Sequence, residues 1–276
     1  MKLLVMAACV AAGLSAAELK IDHATVCGAN LEAMRSALSG ALPGVQPEYG
    51  GPHSNHATEM ALVSFPDGSY LELMGIQKNA DPAAVDKHEW SRFLRNNAGP
   101  CAFAIHVTDI EREVKELNSA GIMAGEPESA GRTRPDGVKL AWKTASVGPG
   151  ARGSLFPFLI ADQTPRELRA YPSGKPTTDQ FSGIVRVVVG VRDMARAIAG
   201  YRAAFHLAAP KLERDTTFGA ELAWFEGTPI MLTQGTHSDN PGDAPVAFVL
   251  ANGKGSGHAI HWLVVKNLGW RLGILD

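Results

Sequence analysis

The stretch Ile21–Val26 (IDHATV) decides the fold, because it opens a local pattern that recurs along the chain. Its apolar and β-branched residues predict a strand. Asn30 then predicts a helix N-cap, and apolar residues at helical spacing predict a helix that begins at Leu31 and is closed by Gly40. Two β-rich runs follow at 57–65 and 69–76, joined by a Pro-Asp-Gly sequence that is typical of a hairpin turn. Together these segments predict one β-α-β-β-β module.

The same order of elements returns about every 80 residues, a period that fits duplicated modules better than a solenoid. A second copy begins with the predicted strand 101–107, and a third with 184–189; each is followed by an Asp N-cap and an apolar helical stripe. A fourth copy is predicted to begin at His258–Val265 and to stay incomplete at Asp276. This last module is either vestigial or completed by a partner chain, which leaves a homodimer open.

The N-terminal residues 1–17 have the pattern of a signal peptide. Lys2 precedes an apolar run at 3–14, and Ser-Ala-Ala at 15–17 fits the small-residue rule for cleavage before Glu18. The run is shorter than the roughly 20 residues of a membrane span. A buried first strand and an uncleaved anchor are the alternatives. We expect a secreted or periplasmic protein that has no membrane association once the signal is removed.

Composition and cysteine usage narrow the class of protein further. A formal net charge of −2 without charged blocks argues against a nucleic-acid partner, and a 45% hydrophobic content is enough to bury a core. A small-molecule ligand is the partner that we expect. After signal removal, Cys27 and Cys101 remain; an oxidising compartment would permit a disulfide, but we favour two small buried hydrophobic residues.

A segment rich in Pro, Thr and charge separates the modules into two pairs. The sequence therefore predicts a first domain at 18–165 with two modules, a linker at 166–182, and a second domain at 183–276 with the incomplete last module.

Motifs of the first domain, in their order and spacing, resemble the glyoxalase-like domain family of the vicinal-oxygen-chelate superfamily. The motifs are Ile21–His23, Gly50–His53, Thr58–Leu62, Phe65–Leu73, Ala102–His106 and Phe156–Ile160. The resemblance covers roughly residues 20 to 165 and implies an α+β fold whose repeated βαβββ modules pair into open antiparallel half-barrels. In that superfamily the cavity commonly holds a divalent metal, which binds a substrate through adjacent oxygen atoms.

The resemblance also implies metal ligands on the first and last strands of each module, and in the first module these are His23 and Glu72. Strand alternation places His23 on the face of Thr25, and Glu72 on the face of Tyr70. An imidazole and a carboxylate suit Zn, Fe, Mn, Ni or Co. Glu72 is also our candidate for catalytic proton transfer. The alternative for His23 is a strand histidine that only holds a loop.

The other modules depart from this pattern. The second module has Ala102 in place of His23 and a residue near Ala161 in place of Glu72, and neither side chain binds metal. The third has Arg186 and Met231 at those positions, and the fourth has Ile260. No pair of modules thus presents a full ligand set.

Four further residues are candidates for substrate binding. His53 and His56 lie in a Gly-Pro-rich loop and are positioned to complete a site around His23, and Tyr70 is expected to line the cavity. Arg186, mid-strand among valines, is a candidate for binding an anionic substrate group or for pairing with a buried carboxylate.

Three hypotheses for the function follow from the sequence. The leading one is a metal-dependent lyase, isomerase or dioxygenase that acts on a small oxygenated molecule in the N-terminal cavity. The second is a non-catalytic small-molecule binder that has lost the metal. The third is a structural or interaction module.

Overall fold

The computed structural model describes residues 19–96, 99–234, 243–252, 259–266 and 270–276. The predicted signal peptide at 1–17 and His258 lie outside the described residues. No helix within these ranges is long and apolar enough to cross a membrane.

The described residues form six helices and fifteen strands. The elements of the first half are β1 (Ile21–Cys27), α1 (Leu31–Ala41), β2 (Glu48–Pro52), β3 (Thr58–Ser64), β4 (Tyr70–Ile76), α2 (Pro82–Lys87), α3 (Ser91–Asn96), β5 (Gly99–His106), α4 (Ile110–Ser119), β6 (Glu128–Thr133), β7 (Lys139–Ala145), β8 (Phe158–Asp162) and α5 (Arg166–Ala170). The second half contains β9 (Phe181–Val191), α6 (Met194–Phe205), β10 (Lys211–Asp215), β11 (Ala220–Trp224), β12 (Ile230–Gln234), β13 (Ala244–Asn252), β14 (Ile260–Val265) and β15 (Trp270–Leu275).

Local sequence signals set the starts of the three long helices. Asn30 accepts a hydrogen bond from the backbone N–H of Ala33, and Asp109 and Asp193 cap α4 and α6 in the same way. These side chains satisfy backbone donors that have no partner inside the helix. The predicted N-caps are confirmed.

The first two modules form one sheet with the strand order β2-β3-β4-β1-β5-β8-β7-β6. β1 lies at its centre, parallel to β4 and antiparallel to β5, so that the two modules join through their first strands. The edge strands β2 and β6 meet on the far side, where the Arg132 guanidinium of β6 donates to the carbonyl oxygen of Gly50 on β2 at 2.7 Å. The sheet therefore curls around a cavity, and the predicted fold class of paired βαβββ modules is confirmed.

The second sheet has the order β10-β11-β12-β9-β13-β15-β14. Its fourth module begins with β13, which pairs antiparallel with β9 as β5 pairs with β1. The predicted start at His258–Val265 is therefore wrong, since Ile260–Val265 is β14 and pairs with β15. The sequence misled us because β13 begins with an Ala-Pro dipeptide and carries no helix signal after it. In the described residues this module contributes three strands and no helix.

One apolar core joins the two halves. It contains Met34 and Leu38 from α1, Phe103 from β5, Tyr201 from α6 and Phe248 from β13, all fully buried. Helices α1, α4 and α6 and the convex faces of both sheets thus share this core, which leaves the concave face of each sheet free to line its own interior.

Cys27 and Cys101 form a disulfide, contrary to our preference for two unpaired cysteines. Their Cα atoms are 6.0 Å apart, because the antiparallel strands β1 and β5 place Cys27 opposite Gly99, two residues before Cys101. A contact that depends on the pairing of two distant strands leaves no local trace in the sequence, which explains the error. The bond joins the two modules of the first sheet.

Candidate active site

The first sheet encloses a cavity of about 230 Å³. This is smaller than the about 300–1,000 Å³ of sites for drug-sized ligands. The apolar part of its wall includes Met60, Leu62, Met74, Trp90, Trp142, Phe158 and Ile160. The polar part includes His23, His53, Tyr70, Glu72, His88, Arg132, Arg152 and Arg169. An apolar wall with a few converging polar groups is typical of a small-molecule site.

The imidazole of His23 is fixed in this wall by three neighbours. Its Nδ1 lies 2.6 Å from Oδ1 of Asp22, which precedes it on the same strand. Successive residues of a regular strand face opposite ways, but the pairing of β1 with β5 shifts register between Ile21 and His23. The ring also stacks on Tyr70, with centroids 4.9 Å apart, and meets the edge of Phe158 at 5.3 Å.

Asp22 is fully buried and holds the imidazole through its negative charge. Arg169 donates to both carboxylate oxygens of Asp22, from Nη1 to Oδ1 and from Nη2 to Oδ2, each at 2.9 Å. Arg166 also donates to Oδ2. Burial alone would raise the pKa of Asp22, but the charge and hydrogen bonds of Arg169 hold it well below its usual range. Asp22 is thus an ionised acceptor, so Nδ1 of His23 carries a proton. In the neutral form of the ring, Nε2, which has no hydrogen bond to a described residue, is then the acceptor.

Arg169 links this pair to the rest of the wall. It also donates to both carboxylate oxygens of Asp162, at 2.6 and 2.8 Å, and to the phenol oxygen of Tyr70 at 2.7 Å. The pKa of Asp162 is about 2, because Arg169 and His106 overcome the rise that burial causes. Burial raises the pKa of Tyr70, which therefore stays protonated.

Both arginines belong to α5, inside the segment 166–182 that the sequence analysis treats as a linker. In the structure this segment packs against the first sheet: α5 contributes Arg169 to the cavity wall, and Thr177 binds Ser64 of β3 at 2.9 Å. The signal that we missed is the spacing of Arg166 and Arg169, which puts them on one face of a helical turn.

Glu72 lies opposite Thr25 on the neighbouring strand, and its Oε2 accepts a hydrogen bond from the Thr25 hydroxyl at 3.0 Å. Nε2 of His53 lies 3.6 Å from Oε1, slightly too far for a hydrogen bond. Burial would raise the pKa of Glu72, but the neighbouring His53 and His23 and the Thr25 hydroxyl hold it at about 2. Glu72 is therefore a carboxylate at neutral pH.

The predicted substrate-binding residues separate into two groups. His53 and Tyr70 line the cavity, and Nδ1 of His53 is held at 2.8 Å from the Thr58 hydroxyl. His56 is exposed and outside the cavity lining. It lies in a turn in which the Asn55 side chain accepts hydrogen bonds from the backbone N–H groups of Ala57 and Thr58.

Arg186 lies in the second sheet, on β9, and does not line this cavity. Its guanidinium packs 4.5 Å above the ring of Trp224, and burial lowers its pKa. None of the described carboxylates lies within 4.0 Å of it, so the buried partner that we proposed for it is absent from the described residues. It occupies the position of His23 in the third module, as the sequence predicts, and β12 places Met231 opposite Val188 as β4 places Glu72 opposite Thr25.

The second module places an aromatic ring where the resemblance implies a ligand. β8 pairs Phe158 with Ala104, as β4 pairs Glu72 with Thr25. The counterpart of Glu72 is therefore Phe158, which corrects our placement near Ala161. His23, Glu72, Ala102 and Phe158 do not fit a divalent metal. Within the described residues, no group of three or more His, Cys, Asp or Glu side chains could hold a metal ion.

Sequence reasoning missed several cavity residues besides α5. Arg132 lies on β6, with its side chain buried although polar residues surround it in sequence. Arg152 lies 5.3 Å from the ring of Phe158 and binds Glu89 at 2.7 Å. His88 and Trp90 come from the connection between α2 and α3, for which we predicted no structure.

Comparison with known proteins agrees with this architecture. A hypothetical protein from Staphylococcus aureus superposes with a TM-score of 0.66 at 17% identity, over 93% of this chain and 98% of that one. A variant of 4-hydroxymandelate synthase from Streptomyces coelicolor superposes with a TM-score of 0.52 at 16% identity, over 85% of this chain and 71% of that one. Identities this low show a common fold only. No curated protein matches the chain in sequence.

The paired βαβββ modules around a cavity place the chain in the vicinal-oxygen-chelate class of folds. A family described as glyoxalase-like domain matches residues 21–205. The chain belongs to the glyoxalase-like domain family.

Proposed function

We propose that the N-terminal cavity is the active site of an isomerase or lyase that moves a proton on a small oxygenated molecule. The observation that carries the proposal is the buried series Arg169–Asp22–His23, in which an arginine fixes a carboxylate and the carboxylate fixes an imidazole. A carboxylate at Nδ1 orients the ring and stabilises its protonated form, as in other enzymes with a histidine base.

His23 is the proton acceptor in this proposal. Its Nε2 takes a proton from a substrate carbon next to a carbonyl group; the C–H electron pair moves to the carbonyl oxygen and forms an enolate. Return of the proton to a different position or face completes an isomerisation, and loss of a neighbouring leaving group completes an elimination. Both the isomerisation and the elimination need only the substrate and His23, with no further reactant.

Glu72 suits substrate binding better than the catalytic proton transfer that the sequence analysis assigned to it. A carboxyl group with a pKa of about 2 is a weak base at neutral pH. Its Oε1 has no hydrogen bond within 3.5 Å, whereas Oε2 is occupied by Thr25. We infer that Oε1 accepts a hydrogen bond from a substrate hydroxyl and so orients the substrate.

A metal-dependent version of this enzyme is less well supported. His23 and Glu72 are the donors that remain, and Nδ1 of His23 and Oε2 of Glu72 are already engaged. The absent ligands favour a second candidate function, a non-catalytic binder of the same class of small molecule.

Export is part of the proposal, with cleavage before Glu18. The disulfide between Cys27 and Cys101 supports it, because such bonds persist in oxidising compartments. N-terminal sequencing of protein recovered from outside the cytoplasm tests this: Glu18 as first residue supports it, and Met1 argues against it.

The catalytic proposal is tested by solvent exchange. Protein is incubated in D₂O with small 2-oxo and 2-hydroxy acids, and loss of the proton next to the carbonyl group is followed by NMR. Exchange should occur with the native protein, stop with His23→Gln and continue with the matched control His56→Ala, whose side chain is outside the cavity. If compounds bind but none of them exchanges its proton, the catalytic proposal is wrong and the protein is a non-catalytic binder.

A further inference from the structure

Three arginines line the cavity, and two of them, Arg152 and Arg169, form ion pairs with described carboxylates. Arg169 is neutralised by Asp22 and Asp162, and Arg152 by Glu89. Arg132 has no carboxylate within 4.0 Å in the described part of the chain, although its side chain is only 7% exposed. Burial lowers its pKa, but a guanidinium remains charged at neutral pH.

The hydrogen bonds that Arg132 makes to described residues go to neutral carbonyl groups, and the carboxylate of Glu72 acts on it only from beyond 4.0 Å. Nη1 donates to the carbonyl oxygen of Gly50 at 2.7 Å, and Nη2 has a long contact of 3.5 Å with the carbonyl oxygen of Arg169. These contacts fix the guanidinium in place but do not neutralise it. A buried cation without an anion in direct contact is costly, and an anion that enters the cavity offsets that cost.

We propose that the substrate is a small carboxylate, and that Arg132 binds its carboxylate group. This inference depends on the proposed function only because it takes the N-terminal cavity to be the substrate-binding site. A guanidinium matches the planar geometry of a carboxylate through paired N–H donors.

The rest of the wall defines the other end of the substrate. Oε1 of Glu72 is available to accept from a hydroxyl, and an anionic group there would be repelled. Trp142 and Phe158 supply an apolar surface for a hydrocarbon part. The volume of about 230 Å³ corresponds to roughly eight water molecules at ~30 Å³ each, so a hydroxy acid with one side group is the class of molecule that fits.

Direct binding tests this inference separately from catalysis. Lactate and 3-phenyllactate are titrated into the protein, with lactamide and 3-phenyllactamide as neutral matches. Calorimetry and the fluorescence of the wall tryptophans Trp90 and Trp142 report binding. The acids should bind at least tenfold more tightly than their amides. Equal affinity for acid and amide, or no binding of either acid at millimolar concentration, overturns the inference.

Variants of Arg132 and His23 test whether Arg132 causes the preference for acids over amides. Arg132→Met should remove the preference for the acids and leave the amides unchanged, whereas Arg132→Lys should retain part of it. His23→Gln should lose solvent exchange but still bind the acids, which separates failure of this inference from failure of the proposed function. If Arg132→Met does not fold, as judged by circular dichroism, competition by inorganic phosphate in the native protein decides. Displacement of bound phenyllactate by phosphate at equal concentration would mean a general anion site and would overturn the carboxylate assignment.

Discussion

Nδ1 of His23 lies 2.6 Å from Oδ1 of Asp22, although the two residues are neighbours on one strand. Regular alternation would turn them to opposite faces of the sheet, and a register shift in β1 brings their side chains together. Arg166 and Arg169 of α5 bind the same carboxylate. The pair therefore depends on a local irregularity that both modules of the sheet stabilise.

Asp22→Asn should change the tautomer of His23 while leaving the size of the side chain the same. An amide can donate to Nδ1, which would move the imidazole proton to Nε2 and remove the acceptor that faces the cavity. We expect the rate of solvent exchange to fall by about 10²–10⁴-fold. ¹⁵N NMR of the ring nitrogens checks the tautomer without any substrate. An unchanged tautomer with a full loss of exchange would point to a purely structural role, and His56→Ala is the control.

The pKa of Glu72 predicts acid sensitivity of the fold. Its folded value of about 2 lies below the ordinary 4.5, so it contributes stability that is present above pH 4.5 and is lost as the pH falls towards 2. The difference corresponds to about 3 kcal/mol. Urea unfolding of the native protein should show this fall, and Glu72→Gln should reduce it. A Glu72→Gln variant with the same pH dependence as the native protein would show that Glu72 is not its source.

The donor set predicts that the protein binds divalent metal weakly. Purified protein dialysed against Zn, Mn, Ni, Co or Fe should retain well under one ion per chain, because Ala102 and Phe158 occupy two of the ligand positions. The double variant Ala102→His/Phe158→Glu restores donors at both places and should gain metal, measured by elemental analysis and thermal shift. One tightly held metal in the native protein would contradict our assignment.

Reduction of the Cys27–Cys101 bond should destabilise the fold. In the chain-entropy estimate, a link between residues 74 apart in sequence contributes about 4 kcal/mol. The urea midpoint of the native mature protein should fall on addition of a reductant, and that of Cys27→Ala/Cys101→Ala should not respond. Two free thiols in the native protein, denatured without a reductant, would disprove the bond.

Local signals were enough to predict most of the framework. Asn30, Asp109 and Asp193 mark helix starts through contacts within three residues. Strand parity placed Glu72 on the face of Tyr70, and both residues line the cavity. These features depend on neighbours in sequence or on simple alternation, so one chain without relatives reveals them.

The chemistry of the cavity was harder to predict, because it depends on contacts between distant segments. The residues around Arg132 and Arg169 in sequence do not indicate burial, which results from the meeting of β6 with β2 and the docking of α5. The counterpart of Glu72 was placed near Ala161 rather than at Phe158, because the register of β8 is set by its pairing with β5. The contact between Asp22 and His23 depends on an irregularity of β1, and no residue type in the sequence predicts that irregularity.

The bond between Cys27 and Cys101 encloses β2, β3, β4 and the connection that carries His88. A protease that cuts the backbone once inside this loop would therefore produce two polypeptides that remain one molecule. His53 and Glu72 would stay tethered to the strand that carries His23. Such a clipped protein would migrate intact on a non-reducing gel, separate into fragments only after reduction, and keep its cavity walls together for as long as the bond survives.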